Sequence, residues 1–60
     1  MQDHKNKLEK LLADAEDCDL IANLAADISK KATFRRLAAE YREMATRLEA
    51  DMRFREEKLA

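Results

Sequence analysis

The sequence lacks glycine, proline and tryptophan altogether, and it has one cysteine, one tyrosine and two phenylalanines among its 60 residues. Glycine and proline are the residues that most often interrupt helices, so their absence favours long helical segments. Charged residues make up 42% of the chain and hydrophobic residues 47%. This balance is typical of long helices and coiled coils. We therefore expect an all-α protein.

The single cysteine also excludes an internal disulfide, and no Cys/His cluster provides a structural zinc site. A chain of this length is close to the size at which one hydrophobic core barely stabilises a fold. Small scaffolds without disulfides or metal usually gain stability by oligomerisation. Self-association is therefore expected, as a homodimer in the first place, with a tetramer as an open alternative.

A strong charge of either sign and a long hydrophobic run are absent too. The net charge is -1, which gives no general argument for binding to nucleic acid and, with the high apolar fraction, argues against disorder. No segment approaches the roughly 18 apolar residues of a membrane span, and the N-terminal residues have no apolar signal core. We expect a cytoplasmic protein without membrane contact.

Heptad spacing divides the chain into two helices. Leu8, Ala15 and Ala22 occupy a positions of the first half, with Leu11, Cys18 and Ala25 at d. The second half has a different register, through Phe34, Ala38, Tyr41, Ala45, Leu48 and Met52. The two registers differ by two residues, which is neither a stutter nor a stammer, so the apolar stripe breaks between the halves. This break predicts a turn.

We predict one domain over residues 1–60, with helix 1 at about 4–26, a turn at about 26–29 and helix 2 at about 28–57. Asp27 and Ser29 are the candidate N-caps of helix 2, and Asp27 is slightly favoured because Ser29 forms no capping box. A turn this short makes the helices antiparallel. Helix 1 is mainly acidic and helix 2 mainly basic, which also favours their pairing.

Additional apolar residues widen the stripe of each helix beyond what one neighbour can cover. Two apolar stripes per helix suit a four-helix bundle, in which each helix contacts two others. The fold prediction is therefore an antiparallel two-helix hairpin that completes a four-helix bundle as a homodimer. Leu20 lies toward the polar side and is expected to be exposed in that dimer. The predicted core and oligomer-packing residues are Leu8, Leu11, Ala15, Cys18, Ile21, Ala22, Ala25, Ile28, Phe34, Leu37, Ala38, Tyr41, Met44, Ala45, Leu48 and Met52.

From Cys18 to Ala45 the sequence follows the pattern C-x3-A-x2-A-x-D-x6-F-x2-L-A-x2-Y-x2-M-A. This segment, about half of the chain, resembles small, uncharacterised helical-hairpin proteins of alphaproteobacteria. Ile28 departs from that pattern, in which proline usually follows the aspartate. The resemblance implies a helical hairpin and no particular activity.

Residues capable of chemistry do not form a recognisable site. Cys18 lies on the d stripe beside Asp17 and Asp19, as expected for a small buried residue rather than a reactive thiolate. His4 has no metal-ligating companion three or four residues away, and no Glu-x-x-His pair of a di-iron bundle occurs. We predict no catalytic residues, no metal and no cofactor, and we expect that the protein is not an enzyme.

Most arginines of helix 2 have an acidic residue four positions away, which is typical of a solvated helix face. The predicted pairs are Arg36–Glu40, Glu43–Arg47, Arg47–Asp51, Glu49–Arg53, Arg53–Glu57 and Asp51–Arg55. Four basic residues lack such a commitment and could contact nucleic acid or another acidic partner. They are Lys30, Lys31, Arg35 and Arg42.

These observations favour a non-enzymatic interaction or assembly module, a homo-oligomeric helical hairpin with an unidentified protein partner. The alternative is a small regulator that binds nucleic acid through basic residues of helix 2, by analogy with hairpin dimers that bind paired RNA loops. Strong dependence of binding on salt would distinguish this alternative.

Overall fold

The computed structural model describes the backbone of residues 2–59 and the side chains of residues 3–56. It contains two helices, α1 over Gln2–Leu24 and α2 over Ile28–Leu59, which pack against each other. The all-α hairpin predicted from the change in heptad register is confirmed. The connection spans residues 25–27, so α1 begins and ends about two residues earlier than the heptad pattern suggested.

Local hydrogen bonds explain where the helices end. The backbone N–H of Ala25 donates to the carbonyl oxygens of both Ile21 (3.0 Å) and Ala22 (3.3 Å), which closes the last turn of α1. Asp27 is the N-cap of α2: its Oδ1 accepts hydrogen bonds from the backbone N–H groups of Ser29 (2.7 Å) and Lys30 (3.4 Å). The Asp27 carbonyl accepts the first intrahelical bond, from Lys31 N–H (3.0 Å). The preference for Asp27 over Ser29 as the cap is thereby confirmed.

Small side chains form the buried seam between the helices. Among the described residues, the buried apolar ones are Ala15, Cys18, Ala22, Ala38 and Ala45. Every one of them lies on an a or d position of the predicted registers. The larger residues of the same stripes are half-buried along the edges of the seam, namely Leu8, Leu11, Phe34, Tyr41, Leu48 and Met52. The alanines allow the two helix backbones to approach closely.

The hairpin is one helix thick. Its Cα atoms extend over 50 × 16 × 10 Å, and their radius of gyration is 14.4 Å. A compact protein of 60 residues would have a radius of gyration of about 10 Å. Since none of the described residues covers either broad side of the helix pair, residues beside the seam stay exposed. No helix within the described part of the chain is long and apolar enough to cross a membrane.

Candidate association face and basic cluster

The two broad sides of the hairpin differ in chemistry because residues two positions apart point in directions about 200° apart around a helix. On α1, Asp19 and Ile21 thus lie on opposite sides of the seam, as do Arg42 and Met44 on α2. An ion pair joins Asp19 to Arg42, so these two residues lie on the same side of the hairpin. Ile21 and Met44 consequently share the other side.

The Asp19–Arg42 side is mainly polar, although Leu12, seven residues before Asp19, is 44% exposed there. The guanidinium of Arg42 donates a hydrogen bond to the carboxylate of Asp19, which is 23 residues earlier in the chain. This hydrogen bond, the negative charge of Asp19 and that of Glu16 raise the pKa of Arg42 above its ordinary value. Arg42 is therefore charged at any physiological pH and is engaged within the hairpin. The sequence-based expectation that Arg42 is available to nucleic acid or another acidic partner is therefore not met in the hairpin.

The opposite side carries a contiguous group of large apolar residues that the seam leaves uncovered. We call it the association face, and it comprises Ile21, Leu24, Phe34, Leu37 and Met44. Near the turn, Ile21, Leu24, Ala25, Lys30 and Phe34 line one mainly apolar depression of about 460 Å³. Leu37 follows Phe34 by three residues and Met44 follows Leu37 by seven, so helical periodicity continues the apolar surface along α2.

The large apolar side chains of the association face include several that are highly exposed to solvent. Leu24 is 84% exposed, Ile21 44% and Met44 43%. Leu37 and Phe34 are half-buried. Single exposed apolar side chains are common on protein surfaces, whereas a contiguous group of them usually marks an interaction site. The face is therefore the principal candidate site of the hairpin.

Three predicted packing residues, Ile21, Ile28 and Met44, are exposed in the single hairpin. Ile28 is the first residue of α2 and is 84% exposed, because the Asp27 cap places it at the tip, beyond the seam. Ala25 lies at the edge of the depression and is half-buried. The participation of these residues in an oligomer interface stays a prediction.

A second feature is a group of basic side chains near the start of α2. We call it the basic cluster, and it comprises Lys30, Lys31, Arg35 and Arg36. Among the described side chains, none of the four forms an ion pair. The first turn of α2 also contains no acidic residue to complement its N–H groups. Arg36 was not predicted to belong to this group because it was expected to pair with Glu40, and that pair is not formed. The other arginines with described side chains are all paired.

Three of the ion pairs expected along α2 are present. Arg47 pairs with Glu43 at 2.8 Å, Arg53 with Glu49 at 2.5 Å and Arg55 with Asp51 at 3.2 Å. Lys10 and Asp14 form a similar pair on α1, at 3.3 Å. The Glu57 side chain, predicted to pair with Arg53, lies outside the described residues. These pairs are solvated and each contributes little to stability.

The candidate chemical groups are dispersed. Cys18 is a free, buried thiol in the seam, where it packs as a small apolar residue. Within the described side chains, no three His, Cys, Asp or Glu residues come together in a way that could hold a metal ion. Tyr41 is half-buried at the edge of the seam, and His4 is half-buried in the first turns of α1.

Comparison with known proteins adds no assignment. No protein-family model, curated protein sequence or solved structure matches the chain. The class that the fold defines is a two-helix hairpin with one apolar and one polar broad side.

Proposed function

We propose that the chain is a non-enzymatic interaction and assembly module, a helical hairpin that dimerises through its association face to complete a four-helix bundle. The observation that carries this proposal is the division of apolar residues. The buried seam consists of alanine and cysteine side chains, while Ile21, Leu24 and Met44 are exposed on one side. Much of the apolar surface that could stabilise the fold is thus left for a partner.

Surface area supports a partner of about the same size as the chain. The accessible surface of the hairpin is 5071 Å², whereas a compact protein of 7.0 kDa exposes about 4,000 Å². The excess of about 1,000 Å² is close to the roughly 800 Å² per partner that a standard protein–protein interface buries. A second copy of the chain offers an identical apolar face of matching length. The bundle so formed would present its charged outer surfaces to a protein partner.

Sedimentation equilibrium of the purified chain tests this proposal. We expect a mass of about twice 7.0 kDa at micromolar concentrations, and dissociation on dilution. A mass of 7.0 kDa at every concentration up to about 1 mM would contradict the proposal. A mass of four chains would replace the dimer by a tetramer, and the two-hairpin bundle would then be wrong as the final assembly.

The second candidate function is nucleic-acid binding, which the basic cluster favours. Its four side chains lie within seven residues and have no ion-pair partner among the described residues, so they are available to phosphates. A cluster that neutralises about four phosphates would lose roughly a hundredfold in affinity between 50 and 200 mM salt. The acidic character of α1 and the pairing of Arg42 reduce the basic surface that this function could use.

Fluorescence anisotropy with a labelled RNA duplex distinguishes the two candidates. Replacing all four cluster residues by glutamine should abolish salt-dependent binding if the second candidate is correct. The control is Arg47→Gln, which removes an arginine that is already paired with Glu43. Absence of binding by the native chain at 50 mM salt would eliminate this candidate and leave the assembly module unaffected.

A further inference from the structure

Charge is distributed unevenly along the length of the hairpin. Residues 20–40, which form the third of the chain nearest the turn, include four basic and two acidic residues, for a net charge of +2. The remaining residues, toward the open end, include eight basic and eleven acidic residues, for a net charge of -3. The elongated shape keeps these opposite charges apart. The end near the turn is therefore positive, while the rest of the hairpin carries a net negative charge.

The same gradient occurs on the side that carries the association face. Lys30 lines the depression at the end near the turn. Asp17 precedes Ile21 by four residues and so lies one turn farther toward the open end, on the same side of α1. Asp17 is exposed and has no ion-pair partner among the described residues. Between this cation and this anion lie Ile21, Leu24, Phe34 and Leu37, while Met44 lies farther toward the open end.

The positions of Lys30 and Asp17 along the length of the hairpin follow from the helical rise of 1.5 Å per residue. Ala25 and Phe34 line the same depression and therefore lie at about the same level. Lys30 is four residues before Phe34, about 6 Å toward the tip, and Asp17 is eight residues before Ala25, about 12 Å toward the open end. The midpoint between these two levels lies about 3 Å from Phe34 toward the open end, among Ile21, Leu24, Phe34 and Leu37, whereas Met44 lies about 15 Å from Phe34.

We infer that the second copy docks antiparallel on the association face, with Lys30 of each chain opposite Asp17 of the other. This inference rests on the proposed homodimer and specifies its geometry. A two-fold axis that lies in the interface, perpendicular to the helices and about 3 Å from Phe34, superimposes Ile21, Leu24, Phe34 and Leu37 of the two copies and brings Lys30 of each chain to the level of Asp17 of the other. A parallel dimer would instead place Lys30 against Lys30 and Asp17 against Asp17. Like charges in those positions disfavour the parallel arrangement.

Charge reversal tests the pairing. In the antiparallel dimer, K30E or D17K alone creates two repulsive contacts in place of two attractive ones, and each should raise the dimer dissociation constant about tenfold. The double variant K30E/D17K restores opposite charges and should return the dissociation constant to near its native value. The control K31E makes the same charge change about 100° around α2, away from the face. It should have little effect.

The parallel dimer predicts a different result, because K30E merely exchanges one like-charged pair for another. Single variants that leave the dissociation constant unchanged, or a double variant that dimerises no better than the single ones, would overturn the antiparallel inference. Sedimentation equilibrium at about 50 mM salt provides the measurement, since the surface charges are then weakly screened.

A distance measurement tests the orientation without altering the charged pairs. A spin label at Asn6→Cys, in a Cys18→Ala background, reports from the exposed open end of α1. The antiparallel dimer separates the two labels by about 50 Å, and a parallel dimer brings them within about 10–20 Å. A short distance would overturn the antiparallel geometry but leave the homodimer of the proposed function intact. A chain that sediments as a monomer at all concentrations would remove both.

Discussion

Asp19 of α1 and Arg42 of α2 form the ion pair that joins the two helices among the described side chains. Both residues flank the alanine seam on its polar side. Their hydrogen bond therefore helps to define how far α1 is shifted along α2 and which sides of the two helices lie next to each other. The other ion pairs of the described region connect residues four apart within one helix. The Asp19–Arg42 pair therefore contributes to the register of the hairpin, which the other pairs do not.

Exchange of these charges should reveal the register contribution. D19R and R42D are each expected to lower the melting temperature, because two like charges then meet across the seam, and the double variant D19R/R42D should recover most of the loss. The pKa of Arg42 is raised, so the arginine contribution to the pair is fully present at pH 5 and pH 8 and declines only as the pH rises through the arginine pKa. Thermal melts followed by circular dichroism at pH 5 and pH 8 should therefore give the same difference between native and variant chains.

The matched control is the pair within α2. Breaking the Arg47–Glu43 pair with R47A should change the melting temperature less than R42A does, since Arg47 makes no contact with α1 through that bond. Equal effects of R42A and R47A would indicate that the cross-helix pair has no special role in the hairpin.

Close approach of the helices depends on Ala22 and Ala38, which are both 0% exposed. Ala22→Phe should destabilise the fold by roughly 1–3 kcal/mol or more, because the added ring has no space in the seam. Ala39→Phe is the control, since Ala39 is next to Ala38 but exposed. Urea denaturation of both variants measures the difference. An unchanged unfolding free energy for Ala22→Phe would show that the assigned seam is wrong.

The turn depends on the Asp27 cap. Asp27→Ala removes the acceptor of two backbone N–H groups and should cost about 0.5–2 kcal/mol. Asp27→Asn keeps a side-chain oxygen in the same place, and asparagine caps helices about as well as aspartate. Chemical denaturation should thus separate the two variants. If alanine and asparagine behave alike, the contribution of the cap is not that of its side-chain oxygen.

The association face makes a prediction about assembly rather than folding of the helices. Ile21→Lys should raise the dimer dissociation constant at least about tenfold, because it introduces a charge where apolar surface is to be buried. Leu20→Lys makes the same change on the side of α1 that points away from α2, where Leu20 is exposed. Sedimentation equilibrium of these two variants should show impaired dimerisation only for Ile21→Lys. Equal behaviour of both would contradict the assignment of the face.

Sequence reasoning reached the hairpin because the relevant signals are local and periodic. The two-residue change of heptad register predicts the turn, and the five buried apolar positions among the described residues were on the predicted stripes. Asp27 was recognisable as a cap from its residue type and position. The α1 boundaries shifted by about two residues because apolar spacing alone does not show that the chain leaves the helix after Leu24.

Features that depend on contacts between the helices were beyond the sequence pattern. Asp19 and Arg42 are 23 residues apart, and their pairing follows from the axial register of the packed helices. The same packing geometry places Ile21 and Met44 on one broad side of the hairpin and Leu12 on the other. Arg36 has Glu40 four residues after it, yet the pair does not form; in the three pairs that do form along α2 the acidic residue comes first, which is the more favourable order.

The central claim is that a second copy covers the apolar face of each hairpin. The most direct test is thermal melting, followed by circular dichroism at 222 nm, over a hundredfold range of protein concentration. For an obligate dimer of about 120 residues in total, the melting temperature should rise by about 10 °C across that range. A melting temperature independent of concentration would contradict the claim, because it would show that the single hairpin is stable by itself.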